Sequence, residues 1–134
     1  MPQMIFVNLP VKDLDVSKAF FTALGYTINP QFTDENAACV VISDSIFTML
    51  ITEPFFKQFT KKEIADATRT TEVLVCLSEE SREAVDRLVE TALASGGSPA
   101  NDTQDHGPMY GRSFQDPDGH IWEVMWMDPA AVQG

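Results

Sequence analysis

Glu123 is the residue on which chemistry in this chain could turn. It stands within Ile121-Trp-Glu-Val-Met-Trp-Met127, flanked on both sides by apolar residues. Written as a strand, the run places Trp122, Val124 and Trp126 on one face and Ile121, Glu123 and Met125 on the other. A carboxylate in mid-strand among apolar neighbours must be exposed, paired, bound to a metal or used in chemistry, because a buried unpaired charge is costly. The preceding Asp116-Pro-Asp-Gly119 predicts a hairpin turn: Pro117 presets φ, the aspartates bond nearby amides, and Gly119 takes a positive φ. The strand entering that turn, Met109 to Phe114, carries Arg112. A four-residue loop sets Arg112 opposite Glu123, which either neutralises the carboxylate or makes the pair a polar anchor for a ligand. A three-residue loop with a bulge sets Ser113 there instead.

The other reactive side chains are less suggestive. Cys39 and Cys76 sit in separate apolar runs with no Cys-x-x-Cys spacing, which predicts buried, reduced thiols rather than nucleophiles. His106 lies in a polar loop and His120 beside the turn, each an ordinary surface or hydrogen-bonded histidine in this reading. The 134 residues suffice for one domain with a real core, and 44% apolar with 22% charged residues fits a soluble globular chain. A net charge of -11 argues against nucleic acid as a partner. No apolar run approaches the roughly 20 residues of a membrane span, and the N-terminus lacks the layout of a signal peptide, so a cytoplasmic protein without membrane contact is expected.

The elements that must position Glu123 repeat along the chain. Ile5 to Leu9 reads as a strand. Val16, Ala19, Phe20, Ala23 and Leu24 then recur at helical spacing from about 14 to 24, with Asp13 or Asp15 as cap and Gly25 as terminator. Strands are predicted at Tyr26 to Gln31, Ala37 to Ile42 and Ile46 to Ile51. Thr52 to Thr70 reads as a connector with one helical turn rather than a lid over a pocket, with Phe55, Phe56 or Phe59 packed on the body or on a partner subunit. The pattern then returns. Glu72 to Leu77 is a strand, and Val85, Leu88, Val89, Ala92 and Leu93 form a helical stripe begun by Ser78 and closed by Gly96-Gly97. Strands follow near 98–101, 109–114 and 121–127. Strand, helix and three strands, twice over, imply an α+β duplication: module 1 at about 1–52, a linker at about 53–70 and module 2 at about 71–128.

Phe6-Val-Asn-Leu-Pro-Val-Lys-Asp-Leu-Asp before a helix ending Ala-Leu-Gly25, together with Asp116-Pro-Asp-Gly-His-Ile-Trp-Glu123, resembles the vicinal oxygen chelate superfamily of glyoxalase I, extradiol dioxygenases, fosfomycin resistance enzymes and bleomycin-binding proteins. The likeness spans nearly the whole chain and is nearest to the branch of small bacterial proteins described as predicted lactoylglutathione lyases. It implies a single domain of two tandem βαβββ modules whose curved mixed sheets surround a cavity, with helices outside, often completed in a homodimer. It implies a metal held by His, Glu or Gln from the first and last strands of each module. Glu123 matches the last-strand glutamate. Phe6 stands where a first-strand His is usual, Met49 falls opposite Glu123 in the repeat, and Glu72 is the remaining candidate. Two carboxylates, Glu123 and Glu72, fall short of the three protein ligands common in catalytic sites, so no tightly bound divalent metal is expected and the cofactor is left unnamed.

Strand parity with the Trp122 face turned to the helices sends Ile5, Val7 and Leu9 to the helix side. It leaves Phe6, Asn8, Phe47, Met49, Ile51, Glu72, Leu74 and Cys76 toward the cavity, a mostly apolar lining. The site residues expected are therefore Glu123 as the catalytic group, with Phe6, Asn8, Phe47, Met49, Glu72, Leu74 and Arg112 binding a small, partly apolar metabolite. The resemblance implies a lyase or dioxygenase like lactoylglutathione lyase, or a non-catalytic protein that binds and sequesters a drug or antibiotic. The carboxylates add a third reading, a metal-free enzyme with Glu123 or Glu72 as general base on a bound carbonyl compound.

Overall fold

The computed structural model describes residues 3–131 and divides the chain into two compact units, Met1–Asp66 and Ala67–Gly134. The division falls inside the connector expected at about 53–70. Unit 1 contains β1 (Ile5–Val11), α1 (Leu14–Ala23), β2 (Thr27–Asn29), β3 (Ala37–Val41), β4 (Ile46–Thr52) and the short α2 (Glu53–Phe56). Unit 2 contains β5 (Leu74–Ser78), α3 (Arg82–Ala94), β6 (Ser98–Pro99), β7 (Gln104–Asp105), β8 (Met109–Gln115) and β9 (Ile121–Met127). The fold is α+β, with two βαβββ modules, the second carrying β7 as an addition.

The two sheets share one topology. Unit 1 has the order β1-β4-β3-β2 and unit 2 the order β5-β9-β8-β6, with β7 on β8. In each, the first strand pairs parallel with the last and the remaining pairs are antiparallel. Parallel pairing requires a crossover, and α1 and α3 supply it. The registers also coincide. Met49 stands between Asn8 and Cys39, and Glu123 stands between Cys76 and Ser113. Met49 is therefore the unit 1 counterpart of Glu123, as the repeat alignment predicts.

Each helix covers one face of its sheet. In unit 1, α1 packs on β3 and β4, and Phe20, Phe21, Val11, Val40 and Leu50 are fully buried. The buried positions of α1 are Leu14, Ser17, Phe20 and Phe21. The expected stripe is thus corrected by a step: Val16 is 49% exposed and Ala19 and Ala23 face solvent. The spacing of 14, 17, 20 and 21 is equally helical, but Ser17 conceals it, because a serine does not read as a core residue. Asp13 is the cap, accepting from the amides of Asp15 and Val16 at 3.1 and 3.2 Å. Gly25 ends the helix at a φ of 103°.

In unit 2, α3 packs on β8 and β9, burying Val85, Leu88, Val89 and Ala92 against Phe114, Trp122 and Val124. Each large apolar side chain so buried contributes about 1.5–3 kcal/mol. The helix begins at Arg82 with Ser81 as cap, whose Oγ accepts from the Ala84 amide at 3.0 Å. Ser78, the expected start, ends β5 instead. Glu72 precedes β5 and is exposed, so it does not belong to the strand it was assigned to. Cys39 is buried as expected, but Cys76 is exposed. Among the described residues no helix is long and apolar enough to cross a membrane.

Candidate functional site

The turn before β9 decides what Glu123 faces. The Asp116 amide donates to the His120 carbonyl at 3.0 Å, which makes these two residues the last rung and leaves Pro117, Asp118 and Gly119 as a three-residue loop. Gly119 takes a φ of 92°, the left-handed conformation that such a loop requires. The Asp116 carboxylate stabilises the loop by accepting from the amides of Asp118 and His120 at 2.9 and 3.0 Å and from Trp122 Nε1 at 3.1 Å. Of the two registers open from sequence, the outcome sets Ser113 opposite Glu123 and Arg112 opposite Val124.

Arg112 therefore does not neutralise Glu123. It lies on the α3 side of the sheet, where Nη1 donates to Asp86 Oδ1 at 3.0 Å and Nη2 pairs with Glu90 Oε2 at 2.7 Å. Asp86 and Glu90 are four residues apart on α3 and present one face to it. Tyr110 Oη also donates to Asp86 Oδ1, at 2.6 Å. That hydrogen bond, helped by Arg112, holds the Asp86 carboxyl below the usual aspartate range. Arg112 is a strut between sheet and helix, its guanidinium satisfied before any ligand arrives.

The opposite face of the sheet is open. Cys76, Glu123, Gly111, Met125 and Met109 floor a cavity of about 370 Å³, and Asn101, Asp102 and Gln104 form a polar wall beside it. Arg112, Ser113 and Val124 also border it, although the Arg112 guanidinium is engaged on α3. Among the described residues the Glu123 carboxylate accepts no hydrogen bond and forms no ion pair. Partial burial raises the Cys76 thiol, and the adjacent Glu123 raises it further. It is thus a neutral thiol at neutral pH, a soft apolar neighbour rather than a nucleophile.

The wall is held in place by ion pairing. Arg82, at the start of α3, donates to Asp105 Oδ2 and Oδ1 at 2.9 and 2.7 Å and to the Gly107 carbonyl at 2.8 Å. This bidentate pair holds Asp105 well below the ordinary aspartate value, at about 2, aided by the Gly107 amide. A carboxyl with a depressed folded-state pKa contributes its full stabilisation above its unfolded value and loses it as the pH falls through the folded value. The segment 102–108 is expected to loosen as the pH drops from about 4 to about 2. Amide exchange at Gln104 and Gly107, followed by NMR across that window, checks this; exchange that stays constant over it would contradict the ion-pair account.

The other expected site residues lie in unit 1. Phe6 and Phe47 stack with centroids 4.7 Å apart and planes inclined by 13°, on the open face that Asn8 and Met49 share. Asn8, Ile51, Phe56, Phe59 and Thr60 line a second hollow of about 290 Å³. Phe55 and Phe56 are half-buried and Phe59 is mostly exposed, meeting Phe55 edge-on at 5.2 Å. Leu74 follows the Glu123 face of unit 2 beside Ile121, whereas Glu72 lies outside the unit 2 cavity. Among the described residues no three His, Cys, Asp or Glu side chains stand together so as to hold a metal ion. Met49 and Phe6 supply no donors for a hard cation on the open face of unit 1. Asn101, Asp102, Gln104, Met109 and Gly111 are not identifiable as site residues from sequence. The polar stretch from 102 to 108 was the available signal, but β7 within it is too short to carry an alternation.

Comparison with known proteins places these features. Residues 3–43 match the family described as bleomycin resistance protein-like N-terminal. Hypothetical protein SA1046 from S. aureus is 30% identical over 94% of this chain and 95% of its own, with a TM-score of 0.78. A glyoxalase/bleomycin resistance protein/dioxygenase family enzyme from Burkholderia phytofirmans PsJN shares the fold at 16% identity, covering 94% of this chain and 99% of that one, with a TM-score of 0.76. The fosfomycin resistance protein FosX from Listeria monocytogenes does so at 17% identity over 94% and 93%, with a TM-score of 0.66. No curated protein matches the chain.

Proposed function

Since the chain belongs to the same family as the S. aureus protein and carries the glyoxalase/bleomycin resistance/dioxygenase fold, we propose that it binds a small, partly apolar molecule in the unit 2 cavity, with Glu123 as the anchor. The observation that carries this reading is a carboxylate with no hydrogen-bond or ion-pair partner among the described residues, on a floor made of Cys76, Met109 and Met125. Arg112, the cation nearest in sequence, is engaged with Asp86 and Glu90. With Asp102 also on the wall, the cavity suits a ligand bearing an ammonium or amidinium group beside an apolar body. Such a protein sequesters its ligand, a role in keeping with the bleomycin-type match of residues 3–43.

Benzylamine, a ring with an ammonium group, is a direct probe. Titration followed by amide NMR is expected to perturb Cys76, Gly111, Glu123 and Met125. Glu123→Gln keeps shape and one acceptor while removing charge, and a charge-assisted hydrogen bond contributes about 1.5–3 kcal/mol, so the variant should bind about 10- to 100-fold more weakly. Equal affinity for wild type and variant would refute the anchor role.

The same unpaired carboxylate supports a second reading, a lyase like lactoylglutathione lyase in which Glu123 takes a proton from the carbon beside a bound carbonyl. Its signature is exchange of that substrate hydrogen with deuterium oxide, abolished in Glu123→Gln. Binding without exchange favours sequestration.

A homodimer is part of the proposal. β1 is an edge strand whose Ile5 and Phe6, with the preceding Met4, are largely exposed, and the edge strand β5 similarly shows Leu74 with Val73 before it. Apolar edge strands invite pairing. Sedimentation at micromolar concentration should give twice the chain mass of 14.9 kDa, and a monomer alone would overturn this element.

A further inference from the structure

We propose that Arg82 is a positioning residue for the unit 2 cavity: by clamping Asp105 and Gly107 it holds residues 101–105 as the polar wall and sets how tightly a ligand is held, without touching it. The inference rests on the cavity being the ligand site.

Arg82 is the first residue of α3, where a cation is opposed by the helix dipole. The helix gains nothing electrostatically from it, and its bonds all lead elsewhere. Both Asp105 oxygens and the Gly107 carbonyl are held by its guanidinium, which lies over the Tyr110 ring at 4.8 Å and the Trp126 ring at 5.6 Å. Tyr110 is itself fixed by Asp86. The plane of the fork is thus preset by two aromatic rings, a geometry that the point charge of lysine does not reproduce.

The strip it holds has few other ties: besides the β7 rungs, the His106 amide donates to the Met109 carbonyl at 2.8 Å and the Pro108 carbonyl accepts from the Asp128 amide at 2.7 Å. Residues 102–108 are all exposed, and β7 contributes only the rungs Gln104 with Gly111 and Asp105 with Tyr110. At its root the Asn101 amide donates to Ser113 Oγ at 2.8 Å, and Ser113 is the ladder partner of Glu123. One end of the wall is therefore pinned beside Glu123 and the other by Arg82 on α3. Asp102 and Gln104, the polar groups it offers the cavity, lie between the pins. Releasing the far pin leaves the floor unchanged and lets the wall move away from it.

The test compares wild type, Arg82→Lys and Asp105→Asn in three measurements: amide exchange, benzylamine titration and the thermal midpoint. The expected result is exchange at Gln104 and Gly107 at least tenfold faster and benzylamine binding about fivefold weaker in both variants. Val85 and Leu88 exchange as in wild type and the midpoint is nearly unchanged. Combining the two substitutions should add little to either alone, as for partners in one contact. Faster exchange of the strip with unchanged affinity would overturn the proposal, as would unchanged exchange. Faster exchange throughout α3 with a lowered midpoint would reduce Arg82 to a stabilising role and also overturn it. If benzylamine fails to bind wild type, the ligand reading of the cavity falls, and the affinity part of this inference with it. The exchange data still decide whether Arg82 holds the strip.

Discussion

Asp116→Ala should lose about 3–4 kcal/mol of folding stability, read as a lowered urea midpoint, because three N–H donors lose their acceptor at once. The amides of Asp118 and His120 are partly open to water, but Trp122 is 1% exposed and its indole N–H has no route to solvent in place of Asp116 Oδ2. Asp116→Asn keeps one acceptor oxygen and should lose about half as much. Burial pushes the Asp116 carboxyl above the usual aspartate value, although His120 and its three donors pull the other way. With the folded-state pKa raised, the contribution of this group is full below the unfolded aspartate value and is lost as the pH rises through the folded one. The stability gap between wild type and Asp116→Asn should therefore change with pH in that interval. A gap constant from pH 3 to 8 would show that burial does not govern this carboxyl.

Gly119→Ala, three residues on, should destabilise by about 2–4 kcal/mol. Part is the cost of an L side chain at a φ of 92°. The remainder is collision, since a Cβ there would lie 2.9 Å from the Ala67 carbonyl oxygen and 3.0 Å from the Thr68 nitrogen. Gly25 separates the two contributions. Its φ is 103° with nothing within 4 Å of a Cβ, so Gly25→Ala should cost only the conformational part, about 1–2 kcal/mol. Equal losses in thermal or chemical unfolding would mean that the 67–68 backbone yields freely. Asp116→Ala and Gly119→Ala both strike the loop that keeps Ser113, and not Arg112, opposite Glu123, so ligand binding should weaken along with stability.

What sequence could and could not reveal follows from how each signal is generated. The duplication, the longer strands and the two main helices, and the correspondence of Met49 with Glu123 across the repeat are legible because hydrophobic periodicity and turn residues act locally. The buried face of α1 was misjudged through Ser17, since a small polar residue packs in a core without declaring itself. α3 starts at Ser81 rather than Ser78 because both serines satisfy the capping pattern, and only the length of β5 decides between them. The position of Arg112 depended on a single residue of loop length, and a shift of one in a strand pair moves a side chain to a different partner and face. The polar wall was legible only as a polar loop, Asp102 to Pro108, at a sheet end: its hold depends on Arg82, twenty or more positions away, and nothing in composition marks that distance as closed.

The parallel closure of each sheet has a consequence for the order in which the chain becomes structured during synthesis. Ile5 pairs with Ile46, and Leu74 with Ile121, so neither module's first strand has its ladder partner until its last strand has left the ribosome. Until then β1, with Ile5 and Phe6 among its apolar residues and Met4 before it, is an unpaired edge. Loop closure across a whole module must precede the contacts that reward it, which slows folding. The hairpins β3–β4 and β8–β9 lie late in their modules and are local, and they form the template onto which the earlier strand docks. Each module is therefore expected to fold from its C-terminal side backwards, against the direction in which it is made. Destabilising substitutions in the β3–β4 and β8–β9 hairpins should accordingly slow refolding more than those in β1 and β5.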